Sequence, residues 1–451
     1  MLMVLAVTRG IVYALLVLAP TMLGSNRTLI WATNSLVISL TTTLFCATEL
    51  ARGSFSRFNW RLPLLVVIGI LLLTSWMLIQ ALPGTPGFLH HPIWREMGIE
   101  GAISANPSQT FATLTWCIAL LIFVPAVRIG LDARHGLFAL NLMLFTAVAV
   151  ASFGLINETY DLGTIGLLPK SAYSGWLTGT FVNRNTAATF LALNLTIATT
   201  LLTREVFNHS TDESTSGLKL LEGLISFKSL YLAFCAILLA ALILTGSRGG
   251  AIAAFLGSLS ALTMQYAKRP DRRRALAPML SLVGAGILAC CLVASAFYVR
   301  AGESDTSMAV RVDLYREAIK AVTDRPLLGH GAGTYSSIEP LYHGAGTPSD
   351  LAWSNAHSTI LEAFACLGIP ATLFALIIVV YALGSLAKAW RSASPDAICT
   401  VSCLASAIAI AVHALVDFSL EIQAIALYSA CLLGLATGEI MRLQRKTASS
   451  H

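Results

Sequence analysis

Charge is scarce in this sequence. Asp, Glu, Lys and Arg together make up 12 % of its 451 residues, against 56 % hydrophobic residues, whereas a soluble domain carries roughly 25 % charge. That scarcity excludes an ordinary soluble globular domain. The polar segments likewise lack cysteine. Cys46, Cys117, Cys235, Cys290, Cys291, Cys366, Cys399, Cys403 and Cys431 all fall in apolar runs, so no disulfide framework or thiolate metal site is expected outside the membrane. They read as small apolar packing residues. No internal repeat and no second soluble domain is visible.

What the chain has in abundance is apolar runs of about 20 residues, the length that crosses a bilayer with every backbone amide paired inside its own helix. Twelve are expected, near 10–24, 30–49, 62–82, 110–127, 136–156, 187–203, 229–245, 250–266, 277–299, 358–384, 396–414 and 421–440. The class is an all-α polytopic membrane protein. The first run follows Arg9 as a signal peptide would, but no convincing small-residue cleavage site follows and Asn26-Arg27 leads into a second span, so it reads as an uncleaved helix.

Orientation follows from the distribution of Lys and Arg among the loops. With an even number of spans both termini share a side, and that side carries 19 of the 29 basic residues. Both termini are therefore expected in the cytoplasm, and the long insert 300–357 outside it. The net charge of +6 reflects this asymmetry and implies no nucleic-acid partner. The cluster Lys268-Arg269-Pro270-Asp271-Arg272-Arg273-Arg274 reads as an anchor on anionic lipid heads. Four segments result: 1–173 with five spans, 174–299 with four spans and arginine-bearing outer turns, the insert 300–357, and 358–451 with three spans and a tail.

The first 150 residues say little. The outer loop 83–109 holds Phe88 and Trp94, suited to the membrane interface, and His90-His91, which as neighbours do not face one metal site. The inner loop 204–228 is a polar connector. The insert opens with an amphipathic helix on which Val312, Tyr315, Ile319 and Val322 recur at helical spacing, opposite Asp313, Arg316, Glu317 and Lys320. It continues through the glycine-rich turn Gly329-His330-Gly331-Ala332-Gly333 and ends at Asn355-Ala356-His357-Ser358. That turn follows no strand of a βαβ unit, which excludes a nucleotide loop.

Two shorter polar stretches precede the insert. One is Asn183-Arg184-Asn185 at the mouth of the sixth span. The other is Thr245-Gly246-Ser247-Arg248-Gly249-Gly250, a turn so tight that Arg248 must sit at the outer membrane boundary, where an uncompensated charge is costly. Its glycines would let a ligand approach the backbone and leave amides for an anion. Each residue has a plainer alternative. Arg184 could snorkel to lipid headgroups, Arg248 could pair with Glu362 or Asp417, and His357 could cap the tenth span. Asp417, four residues after His413, could be a helix-end hydrogen-bonder. Yet Asn183, Arg184, Asn185, Ser247, Arg248, Arg311, Tyr315, Arg325, His357 and Asp417 all fall on the outer side. Clustered guanidinium groups there suit a pyrophosphate, and a histidine beside them can take a proton from an attacking hydroxyl.

In this order, the blocks 178–185 (TGTFVNRN), 245–250 (TGSRGG), Arg311 to Tyr315 with 324–335 (DRPLLGHGAGTY), and 355–358 (NAHS) running to Leu367-Gly368-Ile369-Pro370 resemble the O-antigen ligase and Wzy-type polymerase family. The specific matches span about residues 174–375; the N-terminal third is similar in hydropathy alone. The resemblance implies a GT-C-like glycosyltransferase of the bacterial inner membrane, with a periplasmic loop of short helices over its site. The implied donor is a glycan on undecaprenyl pyrophosphate, and the implied acceptor is the lipid A–core or a second lipid-linked repeat. No cofactor and no metal is implied, in keeping with the lack of an Asp-x-Asp motif in the outer loops. By position, Arg184 and Arg248 would hold the pyrophosphate and His357 would be the base. Asn183, Asn185, Ser247, Arg311, Tyr315, Arg325 and Asp417 would be further donor or acceptor contacts, with inversion at the anomeric carbon. The competing class is a twelve-span transporter, which would show two related halves and ionisable groups near the midplane; neither is present.

Overall fold

The computed structural model of the chain describes residues 2–53, 60–166, 168–208, 226–268, 304–344, 346–347, 353–393 and 397–449. They are almost wholly helical. The one sheet among them is a two-stranded antiparallel ladder pairing Thr164–Ile165 with Leu168–Pro169.

Ten of the described helices are long and apolar enough to cross a membrane. These are Met3–Thr21, Thr28–Ala51, Arg61–Ala81, Pro107–Gly130, Ala133–Thr159, Arg184–Phe207, Phe227–Leu244, Arg248–Ala267, Ile369–Ser392 and Gln423–Arg445. Their starts follow the local chemistry: Asn106, Asp132, Ser226 and Ser247 each place a side-chain oxygen on a free N–H of the first turn, the strongest stop-start signal available to a helix. The first eight expected spans and the twelfth are thus found as helices. The ninth, 277–299, lies outside the described residues, as do Arg269 to Arg274 of the basic cluster and the middle of the inner loop 204–228. The eleventh is a shorter helix, Ile398–Ala414.

The tenth span differs from expectation. The apolar run 358–384 is split into a short helix Thr359–Leu367 and a long one Ile369–Ser392. Gly368 separates them at φ +83°, a conformation an L side chain resists. The break is used: the Ile369 N–H donates to Pro326 O at 2.7 Å, so the insert docks on the exposed backbone of the kink.

The helices Arg184–Phe207 and Gln423–Arg445 are the most deeply buried spans, and Ile369–Ser392 the least. The first of these is rich in threonine, and Thr196, Thr199, Thr200 and Thr203 each donate to the carbonyl four residues back. This satisfies hydroxyls that would otherwise be costly so far from water.

The insert begins with a helix over Ser304–Asp324, but its buried face is not the expected one. Val312 and Ile319 are exposed, whereas Leu314, Glu317, Ala318 and Ala321 are buried. Short alanines let this helix lie close on Thr359–Leu367, and that close approach outweighs the larger apolar residues on the opposite face. The glycine-rich turn is clamped from outside. The Gln80 amide donates to Leu328 O and Cys366 O and accepts from the Ala332 N–H. Gly331 has φ +108°, and a Cβ there would stand 2.2 Å from Ser104 Oγ. The turn is glycine-rich because chain packs against it.

Candidate functional site

The stretch Tyr173–Asn185 lies over the turn between Phe227–Leu244 and Arg248–Ala267. The Leu177 N–H donates to Leu244 O at 3.0 Å. Trp176 then joins the two arginine motifs: the Arg184 guanidinium lies 4.3 Å from its ring centroid, and its other edge fills the space above Gly246, where a Cβ would be 1.9 Å from Trp176 Cζ3. Gly249 is covered by His413 and Gly250 by Ala188. The glycines of this turn therefore admit neighbouring side chains. The expectation that they stand open to a ligand is corrected, and the Gly250 amide is already taken by Ser247 Oγ at 3.2 Å. Arg248 itself is exposed at the first position of its helix.

Asn183 caps the central helix, accepting from the Asn185 N–H at 2.7 Å, and donates to Tyr173 Oη at 3.1 Å. Its neighbour Asn185 is buried within the bundle. Asn183 and Tyr173 line a cavity of about 710 Å³ together with Trp353, Asn355, His357 and Glu421. His357 has the most constrained position in it. It holds φ +52°, rare for a non-glycine residue and costing of order 1–3 kcal/mol. Three contacts keep it there: Tyr315 Oη donates to His357 O at 3.2 Å, and the imidazole packs edge-on between Trp353 and Phe418. Its Nδ1 is buried and makes no hydrogen bond among the described residues. Burial, and then the Arg311 guanidinium, lower the His357 pKa to about 4, so the ring is neutral at physiological pH.

Arg311 is the cation at the centre of this group. Its Nη1 donates to Val416 O at 3.4 Å, and its charge bears on His357, Asp417, Tyr173 and Tyr315. Asp417 is fully buried, and burial raises its pKa to about 6. It is not on one helical face with His413, because that helix stops at Ala414. Its Oδ2 accepts from Ser419 Oγ, while Oδ1 makes no hydrogen bond among the described residues. From Ser419 the polar chain continues through Thr189 Oγ1 (2.7 Å) to His413 Nδ1 (2.5 Å), and His413 Nε2 reaches Ser247 Oγ at 3.5 Å. A continuous hydrogen-bonded path thus ties the Arg248 turn to Asp417.

Arg325 lies elsewhere. Its guanidinium donates to Leu89 O and His90 O, pinning the outer loop 83–109 to the insert. Nearby, His91 Nε2 meets His330 Nδ1 at 2.8 Å, while His90 Nε2 turns to Thr85 O. The paired histidines therefore serve two different partners. Burial, and then His330, lower the His91 pKa to about 3.

A second group was not singled out as a site. Glu362 and Glu421 face each other, and Asn355 Nδ2 donates to both. The Glu362 carboxylate also accepts the Ala356 N–H at 2.8 Å, which fixes the backbone just before His357. Burial raises both carboxyl pKa values, and the two carboxyls are hydrogen-bonded to each other. Glu362 and Glu421, 59 residues apart in the chain, are joined only by the fold. A third cluster, Glu317, Glu339 and His343, brings three potential ligand atoms within 4.8 Å of one another in the insert. It lies outside the cavity, and its own bonds, His343 Nδ1 to Glu339 at 2.6 Å and Thr347 Oγ1 to Glu317 at 2.6 Å, tie the insert together.

No curated protein matches the chain. Residues 233–376 match the family model described as O-Antigen ligase, a segment that contains Arg248, Arg311, Tyr315, Arg325 and His357, and over that segment the match agrees with the family that the motifs resemble.

Proposed function

We propose that this protein transfers a glycan from undecaprenyl pyrophosphate to a sugar hydroxyl at the periplasmic face of the bacterial inner membrane, with lipid A–core as acceptor. The family match supports an O-antigen ligase-type or Wzy-like polymerase function in a multi-pass membrane protein. The observation that carries the finer reading is His357: a neutral imidazole with an unengaged Nδ1, held in a strained backbone conformation, on a cavity beside Arg311.

In this reading the acceptor oxygen attacks the anomeric carbon from the side opposite the pyrophosphate. Its proton passes to His357, the bond from the anomeric carbon to the phosphate oxygen breaks, and undecaprenyl pyrophosphate leaves with the electron pair. One displacement inverts the centre. Arg311, with Arg184 and Arg248, stabilises the charge that grows on the leaving group. The bound pyrophosphate would also offset the Arg311 field that keeps His357 weakly basic, bringing its pKa up toward the range useful for a general base.

Arg248→Lys is expected to lower the transfer rate about 10- to 100-fold in a reconstituted assay, since an ammonium cannot reproduce the two-pronged contact of a guanidinium with phosphate. Wild-type turnover would remove Arg248 from the pyrophosphate site. The chemistry assigned to His357 and the arginines uses no metal, so EDTA is expected to leave the rate unchanged; a lost rate restored by a divalent cation would contradict this. The whole reading is tested on a gel of cell-surface polysaccharide from a deletion strain. Unsubstituted lipid A–core, with polymer stranded on its lipid carrier, supports the ligase. Surface glycan stopped at one repeat assigns the polymerase instead, and an unchanged glycan profile overturns both.

A further inference from the structure

Beside the cavity that His357 lines is a smaller one, of about 370 Å³. That lies within the roughly 300–1,000 Å³ of small-molecule sites. The two cavities share Ser354, Asn355 and Glu421 as lining residues. Their electrostatics differ. The larger lies in the field of Arg311 and carries His357 beside Glu421, whereas among the described residues no Lys, Arg or His lines the smaller, where Glu362 joins Glu421. A pyrophosphate would be drawn to the first, and the second offers it no cation among the described residues.

The walls of the smaller cavity have the composition that recognises carbohydrate. Trp31 and Trp116 line it from two different membrane helices, and an indole face packs against the C–H face of a pyranose while excluding water. A carboxyl pair and an amide line it as well, groups that can donate to and accept from sugar hydroxyls. Glu362 is already committed to the Ala356 N–H and so acts as a positioning residue for the His357 loop. Glu421 borders both cavities. Two acids buried side by side are unfavourable for folding alone, and a hydroxyl-bearing ligand gives Glu421 a role that packing does not.

Resting on the transferase reading above, we propose that this smaller cavity is the acceptor subsite. It takes a neutral sugar unit stacked on Trp31 and Trp116, with Glu421 and Asn355 directing the reacting hydroxyl toward His357. The donor pyrophosphate occupies the larger cavity. Donor and acceptor are thus sorted by charge before they meet.

The test measures binding of two probes separately, by titration of nanodisc-embedded full-length protein with undecaprenyl pyrophosphate and with the oligosaccharide released from lipid A–core. Trp116→Ala, at a residue that lines the smaller cavity and not the larger, is expected to weaken oligosaccharide binding at least tenfold with carrier-lipid affinity unchanged, and Glu421→Gln to weaken oligosaccharide binding at least tenfold. Trp116→Phe, which keeps an aromatic face, is expected to recover most of the loss. Unchanged oligosaccharide affinity in both variants, or a selective loss of undecaprenyl pyrophosphate binding, overturns the assignment; the latter would make the cavity part of the donor site. Equal loss of both ligands in Trp116→Ala without recovery in Trp116→Phe would show a general structural effect and also overturns it. A wild-type protein that binds the carrier lipid but no core oligosaccharide refutes this subsite while leaving donor handling in place. One that binds neither refutes the transferase reading itself.

Discussion

His357→Ala is expected to lower glycan transfer by about 100- to 10,000-fold, the usual contribution of a positioned general base, while binding undecaprenyl pyrophosphate within threefold of wild type. The separation follows from the geometry. The imidazole lies against Trp353 and Phe418 with Nδ1 uncommitted, so no described hydrogen bond that builds the cavity depends on it. The left-handed backbone at this position is compatible with alanine only at some cost. His357→Asn tolerates that conformation better and serves as the matched control. Single-turnover transfer with purified lipid-linked donor, alongside a donor-binding titration, measures both quantities. Near-normal transfer by either variant would refute the assignment of His357 as base.

The second large effect is expected from Arg311→Gln, which should lose both donor affinity and rate, together about 100-fold or more in kcat/KM. It also carries a signature that a merely structural arginine would not. Burial and Arg311 together hold the His357 pKa at about 4, so in the free enzyme the base is deprotonated from about pH 5 upward. Removing the guanidinium leaves burial alone, and the His357 pKa rises. The acid limb of kcat/KM is then displaced to higher pH. In the wild type, the limb of kcat should lie above that of kcat/KM, because bound pyrophosphate offsets Arg311. Asp417, at about 6, titrates in the same field, and Asp417→Asn separates its contribution. Identical acid limbs in wild type and Arg311→Gln would place Arg311 outside the reach of His357.

The spans were legible because hydropathy is a one-dimensional signal that the bilayer imposes on every helix. Where a contact rather than a solvent decides, the sequence is silent. Gly368 sits in a run as apolar as any other, and only its φ of +83° and the docking of Pro326 on Ile369 reveal two helices in place of one. The face of Ser304–Asp324 was misread because periodicity weighs Val312 and Ile319 above alanine, whereas close helix packing rewards Ala318 and Ala321. The motif blocks located Asn183, His357 and the Arg248 turn, yet an arginine near a motif need not serve it: Arg325 is spent on the carbonyls of Leu89 and His90. Glu421 does not stand out in the sequence, and His413 does so only by its spacing from Asp417, because each acts through a partner far away in the chain, Glu362 and Thr189, and one sequence shows no pairing of that kind.

Gln80 belongs to the third of the chain whose sequence says least about function, and yet its one amide spans Leu328, Cys366 and Ala332, on both sides of the glycine-rich turn. The glycines leave no room for adjustment, since a Cβ at Gly329 would lie 2.4 Å from Cys366 O and one at Gly333 1.9 Å from Thr113 Oγ1. The insert and the N-terminal helices are therefore two halves of a lock cut together. Chimaeras that exchange residues 1–150 between relatives would have to carry both halves across, and the segment 233–376 could not be shortened into a minimal enzyme. However freely the N-terminal helices drift in sequence on their lipid-facing sides, the face toward this turn inherits its constraints from the packing of another part of the chain.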